Sequence, residues 1–208
     1  MLDGPVRRVL EPPLGRLAAV IDRPWVTPDR ITAAGLVLGL GSAGAAASQE
    51  WAAALVLWLL SRLADGLDGP LARRRQARTG APDAGAGGFF DITADFTVYG
   101  TTVLGVAVGT AGVGDGPWWP FLLVLLAYYL NGAAFLAFSS IAERSGRRLD
   151  DGRSLSFLGG LAEGTETVVV HALWLLFPDL AWPIAAVWAM VVLLSAGQRM
   201  VAGYRSLR

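Results

Sequence analysis

The chain contains no cysteine and no lysine. Without cysteine there is no disulfide framework, no thiolate metal site and no cysteine nucleophile. Without lysine there is no Schiff-base chemistry, and all 17 basic residues are arginine. Histidine occurs once, at His171. Charge is scarce as well: 16% of the 208 residues are charged, against about a quarter in a soluble domain. Seventeen acids balance the 17 arginines, so net charge points to no nucleic-acid partner. An apolar leader is also missing. Residues 1–12 carry Asp3, Arg7, Arg8 and Glu11 ahead of Pro12 and Pro13, so no cleavable signal is expected and insertion falls to the first spanning helix.

What the chain has in abundance is apolar sequence, 54% of it, gathered in long runs. That pattern predicts an all-α polytopic membrane protein. Six spans are expected, at about 29–48, 51–72, 88–111, 118–143, 154–177 and 182–204. Each is long enough to cross about 30 Å of hydrocarbon at 1.5 Å per residue. Thr27 and Pro28 read as the cap and first-turn proline of the first span. Before it, residues 13–22 place Leu14, Leu17, Ala18 and Ile21 on one face, the pattern of a short interfacial amphipathic helix. The organisation is therefore an N-terminal segment, 1–26, and a six-helix membrane domain, 27–208. Gly and Ala recur in spans one and three, which permits close helix packing.

Arginine sets the expected orientation. The three connections assigned to the outer side, around Ser48–Glu50, 112–117 and Phe177–Pro183, carry none. Every arginine falls at the opposite ends of the spans or in the termini, so both termini are expected to be cytoplasmic. Trp51, Trp118, Trp119 and Trp182 then lie near the outer interface, where amphipathic aromatics belong.

This orientation brings four acids to one side. Asp65 and Asp68 close the cytoplasmic end of span two, three residues apart. Asp91 and Asp95 open span three, four apart. Each pair shares a helical face. A carboxylate within a span costs roughly 2.5–3.5 kcal/mol on insertion scales, so such residues are functional by default. Bare, the four would repel; one or two divalent cations would neutralise them. Oxygen ligands without Cys or His select Mg²⁺, Mn²⁺ or Ca²⁺ over zinc, and a pair of ions suits phosphoryl chemistry. Gly66 and Gly69, with Gly87 and Gly88, remove side chains beside the carboxylates and leave room for a phosphate or nucleotide against the backbone. The plainer reading is structural ion pairing of Asp65 or Asp68 with Arg62 or Arg73.

The stretch Asp65-x-x-Asp68-Gly69-x-x-Ala72-Arg73, followed by Gly87-x-x-x-Asp91-x-x-x-Asp95, resembles the two-block signature of the CDP-alcohol phosphatidyltransferases. All eight signature residues are present. The resemblance implies a fold of six membrane helices and a metal-dependent transfer of a substituted phosphoryl group to an alcohol, with release of CMP. The implied cofactor is Mg²⁺ or Mn²⁺, two ions per site, held by Asp65, Asp68, Asp91 and Asp95. Asp95 would also be the general base on the acceptor hydroxyl. Gly69 and Arg73 would contact the CDP moiety, with Gly66, Ala72 and Gly87 beside it, and Thr79 would be a further nucleotide contact. The segment Thr27-Pro-Asp29-Arg-Ile-Thr32 resembles the one that helps hold the nucleotide, which adds Asp29 and Thr32. The implied donor is a CDP-linked lipid, CDP-diacylglycerol, within phospholipid biosynthesis at a bacterial inner membrane. Similar proteins are often homodimers. The spacer of residues 74–86 is longer than usual for the family, and the excess, after Thr79, reads as a turn-rich loop that includes Asp83.

Other residues invite weaker readings. Glu163 and Glu166, with Thr167, could line the acceptor cavity or serve as structural hydrogen-bonding groups. Arg144, Arg147, Arg148 and Arg153 could bind an acceptor phosphate, although topology-setting charge explains them as well. Ser139, Ser140, Ser154 and Ser156 could face the acceptor or satisfy backbone groups. His171 is expected to be packed and hydrogen bonded, and Tyr128, Tyr129 and Asn131 to make interhelical contacts. The competing function is a divalent-cation transporter, which would also need intramembrane acids; spans one, four and six offer none to continue a path.

Overall fold

The structure, a computed structural model, describes residues 3–80, 85–111, 116–145 and 162–208. Among them every regular element is helical: α1 Asp3–Ile21, α2 Pro28–Ala47, α3 Trp51–Thr79, α4 Ala86–Ala111, α5 Trp119–Arg144, α6 Gly164–Leu176 and α7 Ala181–Leu207, with a short 3-10 turn at Pro178–Leu180 before α7. Among the described residues, four segments are long and apolar enough to cross a membrane: Pro28–Ala47, Ala86–Ala111, Trp119–Arg144 and Pro178–Leu207. The six expected spans are thus not all marked by apolarity and length. α3 carries Arg62, Asp65 and Asp68 within its apolar body. The described part of α6 has 13 residues, about 20 Å of helix.

Helix ends follow local chemistry. Thr27 caps α2, its hydroxyl accepting from the Arg30 N–H at 3.2 Å, and Pro28 takes the first helical position, where its missing N–H costs nothing. α3 runs seven residues beyond the expected end at 72 and stops at Gly80, whose φ of 65° is left-handed and suits glycine. α1 is also longer than expected. It begins at Asp3 and contains Pro12 and Pro13, so two intrahelical bonds are forgone. One ion-pair cluster ties the extension of α3 to α1. Asp22, just past α1, accepts from Arg74 at 3.3 Å, Arg75 at 3.0 Å and Arg78 at 3.0 Å on the last turns of α3. The Arg75 hydrogen bond, with the charges of Arg78 and Arg75, holds the Asp22 carboxyl below the ordinary carboxylate range against the opposing effect of desolvation.

α2 packs on α3 and α4, α5 packs on α7, α6 lies against α3 and α7, and α1 crosses α3. Small residues set the closest approach. A Cβ on Gly105 or Gly109 of α4 would run into the backbone of Ala43 or Ala46 of α2. These two glycines let the helix backbones touch, and dispersion rather than dehydration holds such contacts in lipid. The core includes Trp58, Val98, Val106, Val124, Trp174 and Val192.

Candidate active site

α3 and α4 both pack on α2, which brings their aspartate-bearing stretches within side-chain reach of each other. Arg62 is the link. Its guanidinium donates to Asp95 Oδ1 at 2.7 Å and lies 3.8 Å from Asp65 Oδ2. It is held in place from both sides, by the Trp58 ring at 5.1 Å and the Tyr99 ring at 5.0 Å, and by a bond to the Ser61 hydroxyl at 3.0 Å. Ser61 in turn donates to the Gly35 carbonyl at 2.7 Å, tying this end of α3 to α2. Asp65 lies within electrostatic range of Asp95 and Asp91. The Arg62–Asp65 pairing anticipated as the plainer reading is present; the Arg62–Asp95 contact crosses between helices and was not legible. Arg73, the other suggested partner, is exposed.

Asp68 is buried and oriented by two donors. The Thr32 hydroxyl donates to Oδ2 at 2.6 Å and the Gly69 N–H to Oδ1 at 2.6 Å. Each oxygen keeps a lone pair for a further ligand. Thr32 reaches Asp68 because α2 crosses α3 at its capped end. Asp29 also lies at that end: a Cβ on Gly87 of α4 would come 3.6 Å from Asp29 Oδ1. So Asp29, Thr32, Asp65, Asp68, Gly87 and Asp95 gather where three helices meet. Asp91, half-buried on α4, engages neighbouring groups of its own.

The remaining expected contacts are spread around this centre. A Cβ on Gly69 would meet the Arg73 guanidinium at 3.3 Å, so the glycine and the arginine flank one surface. Gly66 abuts Leu14 of α1, where a Cβ would come within 3.4 Å, and so lies toward the interfacial helix. Ala72 and Thr79 are exposed, and the Thr79 hydroxyl donates to the Arg75 carbonyl at 3.0 Å.

Thr32, Gly35, Arg62, Asp65, Ala94 and Asp95 are among the residues lining a cavity of about 10 Å³, at the lower limit for a single water-sized guest. Asp65 and Asp95 face one buried arginine here, with Asp68 nearby, and the donor set is entirely oxygen. A hard divalent cation fits this chemistry. Among the described residues no three acidic groups already converge on a common point, so coordination by three or more of them requires side-chain rotation.

Deeper in the bundle, His171 is fully buried, stacks on Trp58 at 4.9 Å and Trp174 at 4.5 Å, and shares a 2.8 Å hydrogen bond with the Tyr128 hydroxyl. Trp188 Nε1 donates to that hydroxyl at 2.8 Å. His171 and Tyr128 therefore hold the helices together, as expected. Tyr129 instead points outward, 71% exposed, because it follows Tyr128 by 100° around the helix. Glu163 precedes α6 and Glu166 lies in its first turn, both engaged with neighbours. Ser139 is buried, while Ser140 and Arg144 are exposed. Asp83, Arg147, Arg148, Arg153, Ser154 and Ser156 lie outside the described residues. Arg199 of α7, buried and engaged, was not singled out by the sequence reading; an arginine inside the expected span 182–204 was the available signal.

Fold and site together define a helical membrane protein whose polar centre is built from oxygen ligands on neighbouring helices. The chain belongs to the CDP-alcohol phosphatidyltransferase family, whose sequence model matches residues 25–197. It is accordingly a transferase, acting on the phosphatidyl group of a CDP-alcohol. Over 214 aligned residues it is 35% identical to the inner membrane protein YnjF of Escherichia coli (strain K12), covering 100% of this chain and 98% of the relative. The fold is similar to that of a phosphatidylinositol phosphate synthase of Mycobacterium tuberculosis, solved with CDP-DAG bound, with a TM-score of 0.64 over 93% of this chain and 92% of that one. Sequence identity there is 21%, so the likeness concerns the fold.

Proposed function

We propose that this protein transfers a phosphatidyl group from CDP-diacylglycerol to an alcohol, releases CMP, and depends on Mg²⁺ or Mn²⁺. The observation that carries this reading is the meeting of Asp65 and Asp95, from different helices, around one arginine beside the oriented Asp68. Asp65, Asp68, Asp91 and Asp95 would hold one or two ions, and the family's general dependence on divalent metal supports this. Bound there, the ions would supply positive charge for the diphosphate and the leaving CMP. Asp95 takes the proton of the acceptor hydroxyl as its oxygen attacks phosphorus. Arg73, exposed and without an ion pair among the described residues, pairs with a donor phosphate, and Gly69 leaves space beside it. Asp29, Thr32 and Gly87 border the nucleotide.

The domain division follows, with residues 1–26 as an interfacial segment and 27–208 as the membrane domain. Six helices cross the membrane in this reading. α3 and α6 are carried across by packing against apolar neighbours, and both termini and the aspartates face the cytoplasm. The likeness to an inner membrane protein supports an inner-membrane location. A homodimer fits the family habit.

The test is CMP release by the purified chain with Mg²⁺ or Mn²⁺, CDP-diacylglycerol and a panel of alcohols. Folded protein that releases no CMP with any acceptor or any CDP-linked donor overturns the reading. Metal-ion flux in proteoliposomes would support the transporter instead.

A further inference from the structure

A second groove shares no lining residue with the cavity at the aspartates. It lies on the far side of the α2–α3 pair and has a volume of about 630 Å³. Ile31, Ala34 and Leu38 of α2 form one wall, and Leu60, Leu63 and Leu67 of α3 the other. At 100° per residue Leu67 points about 200° away from Asp65, and Ala34 about 200° away from Thr32. The groove therefore faces away from Asp65 and Thr32 on the same two helices.

One end of the groove is cationic. Arg23 and Arg30 line it together with Trp25, which is 70% exposed. Arg30 donates to the Trp25 carbonyl at 2.5 Å, and neither guanidinium has a carboxylate partner among the described residues. Asp22 serves Arg74, Arg75 and Arg78, and Asp29 points to Gly87 of α4. From Arg30 the apolar wall runs to Leu38, about 12 Å along the helix. That is most of one leaflet of a hydrocarbon core about 30 Å thick.

We propose that this groove binds one anionic phospholipid, its phosphate against Arg23 and Arg30 and an acyl chain along the α2–α3 seam. Basic pockets beside spanning helices take anionic headgroups, and the exposed Trp25 sits at the depth where indole rings favour the interface. A zwitterionic lipid would fill the same apolar walls but offers the arginines no net charge. The proposal holds whether or not the transferase reading does.

Native mass spectrometry of the full chain in neutral detergent tests this with phosphatidylglycerol and phosphatidylcholine of matched acyl chains. Each arginine near a membrane surface is worth about a fivefold preference, so wild-type protein should retain phosphatidylglycerol about thirtyfold better. Arg23→Gln should lower that preference about fivefold, and Arg23→Gln with Arg30→Gln should bring the two lipids near parity. Ala34→Trp, which fills the groove with both arginines intact, should reduce retention of both lipids. Equal retention by wild type, an unchanged preference in the double variant, or full retention by Ala34→Trp would each overturn the proposal. The chain's freedom from cysteine allows one more check. Leu63→Cys should stay uncrosslinked under oxidation in native membranes, and a disulfide-linked dimer would give the groove to a second copy instead.

Discussion

Arg62 of α3 donates to the Asp95 carboxylate of α4 at 2.7 Å, and the same guanidinium lies 3.8 Å from Asp65 one turn along its own helix. One cation thus joins two acids from separate signature blocks. Replacing it with methionine leaves both carboxylates without that charge in a partly buried place. The side chains are 8% exposed for Arg62 and 30% for Asp95, so the loss should fall below that of a fully buried pair, at about 2–3 kcal/mol. Thermal unfolding in detergent should show the drop, and added Mg²⁺ should recover part of it. An unchanged melting temperature without metal would mean the pair contributes nothing.

Asp95→Asn should lower CMP release by a factor of about 10²–10⁴, the usual worth of a positioned general base. CDP binding, followed by calorimetry, should persist. Turnover at the wild-type rate would remove Asp95 from the proton-transfer role.

Thr32→Val removes the donor that orients Asp68 Oδ2. Groups that orient a metal ligand are typically worth 10–100-fold in metal affinity. Mn²⁺ binding, measured by electron paramagnetic resonance, should weaken by about that factor, and Thr32→Ser should restore it. Equal affinity in Val and Ser variants would show that Asp68 needs no help from α2.

The Asp22 cluster predicts a pH dependence for docking of α1 on α3. Its folded pKa is depressed, chiefly by the Arg75 hydrogen bond. An unfolded aspartate titrates near 3.9. The contribution is therefore fully present above about pH 4 to 5 and is lost as pH falls through the lower folded value. Hydrogen exchange along α1 should accelerate in that acid window, and Asp22→Asn should show fast exchange already at neutral pH. Slow exchange in the variant would place the docking energy elsewhere.

Gly109→Val should separate α2 from α4, since even a Cβ meets the Ala46 carbonyl and the Trp51 ring. Overpacking of this kind costs about 1–3 kcal/mol. Gly44→Ala, where a Cβ meets nothing within 4 Å, is the control and should be neutral or slightly stabilising. A valine variant as stable as the control would contradict the close α2–α4 contact.

Much of this architecture was open to reading because membrane helices announce themselves locally. The cap at Thr27 and Pro28, the runs that became α2, α4, α5 and α7, and the pairing of acids at i,i+3 and i,i+4 all depend on neighbours in sequence. α3 was harder to bound. Its last turns, Arg73 to Thr79, carry no apolar signal, and they are held as helix partly by Asp22, some fifty residues away. The outward turn of Tyr129 beside the inward Tyr128 is a similar case, since only the packing of α5 on α7 distinguishes the two faces.

The aspartates mark the division between what sequence and fold each decide. Their number and spacing follow from the chain alone, and arginine bias predicts a common membrane side, because helical periodicity and charge bias are properties of local sequence. Which groups stand next to them does not. Arg62 lies thirty-three residues before Asp95, and Thr32 thirty-six before Asp68. Those partnerships exist because Gly105 and Gly109 let α4 touch α2, and the crossing of α2 on α3 then fixes which side chains meet. Crossing angle and rotation arise from the packing of whole helix faces, so only the tertiary structure could decide that one arginine bridges the two signature blocks and that a threonine from the capped helix orients the buried aspartate.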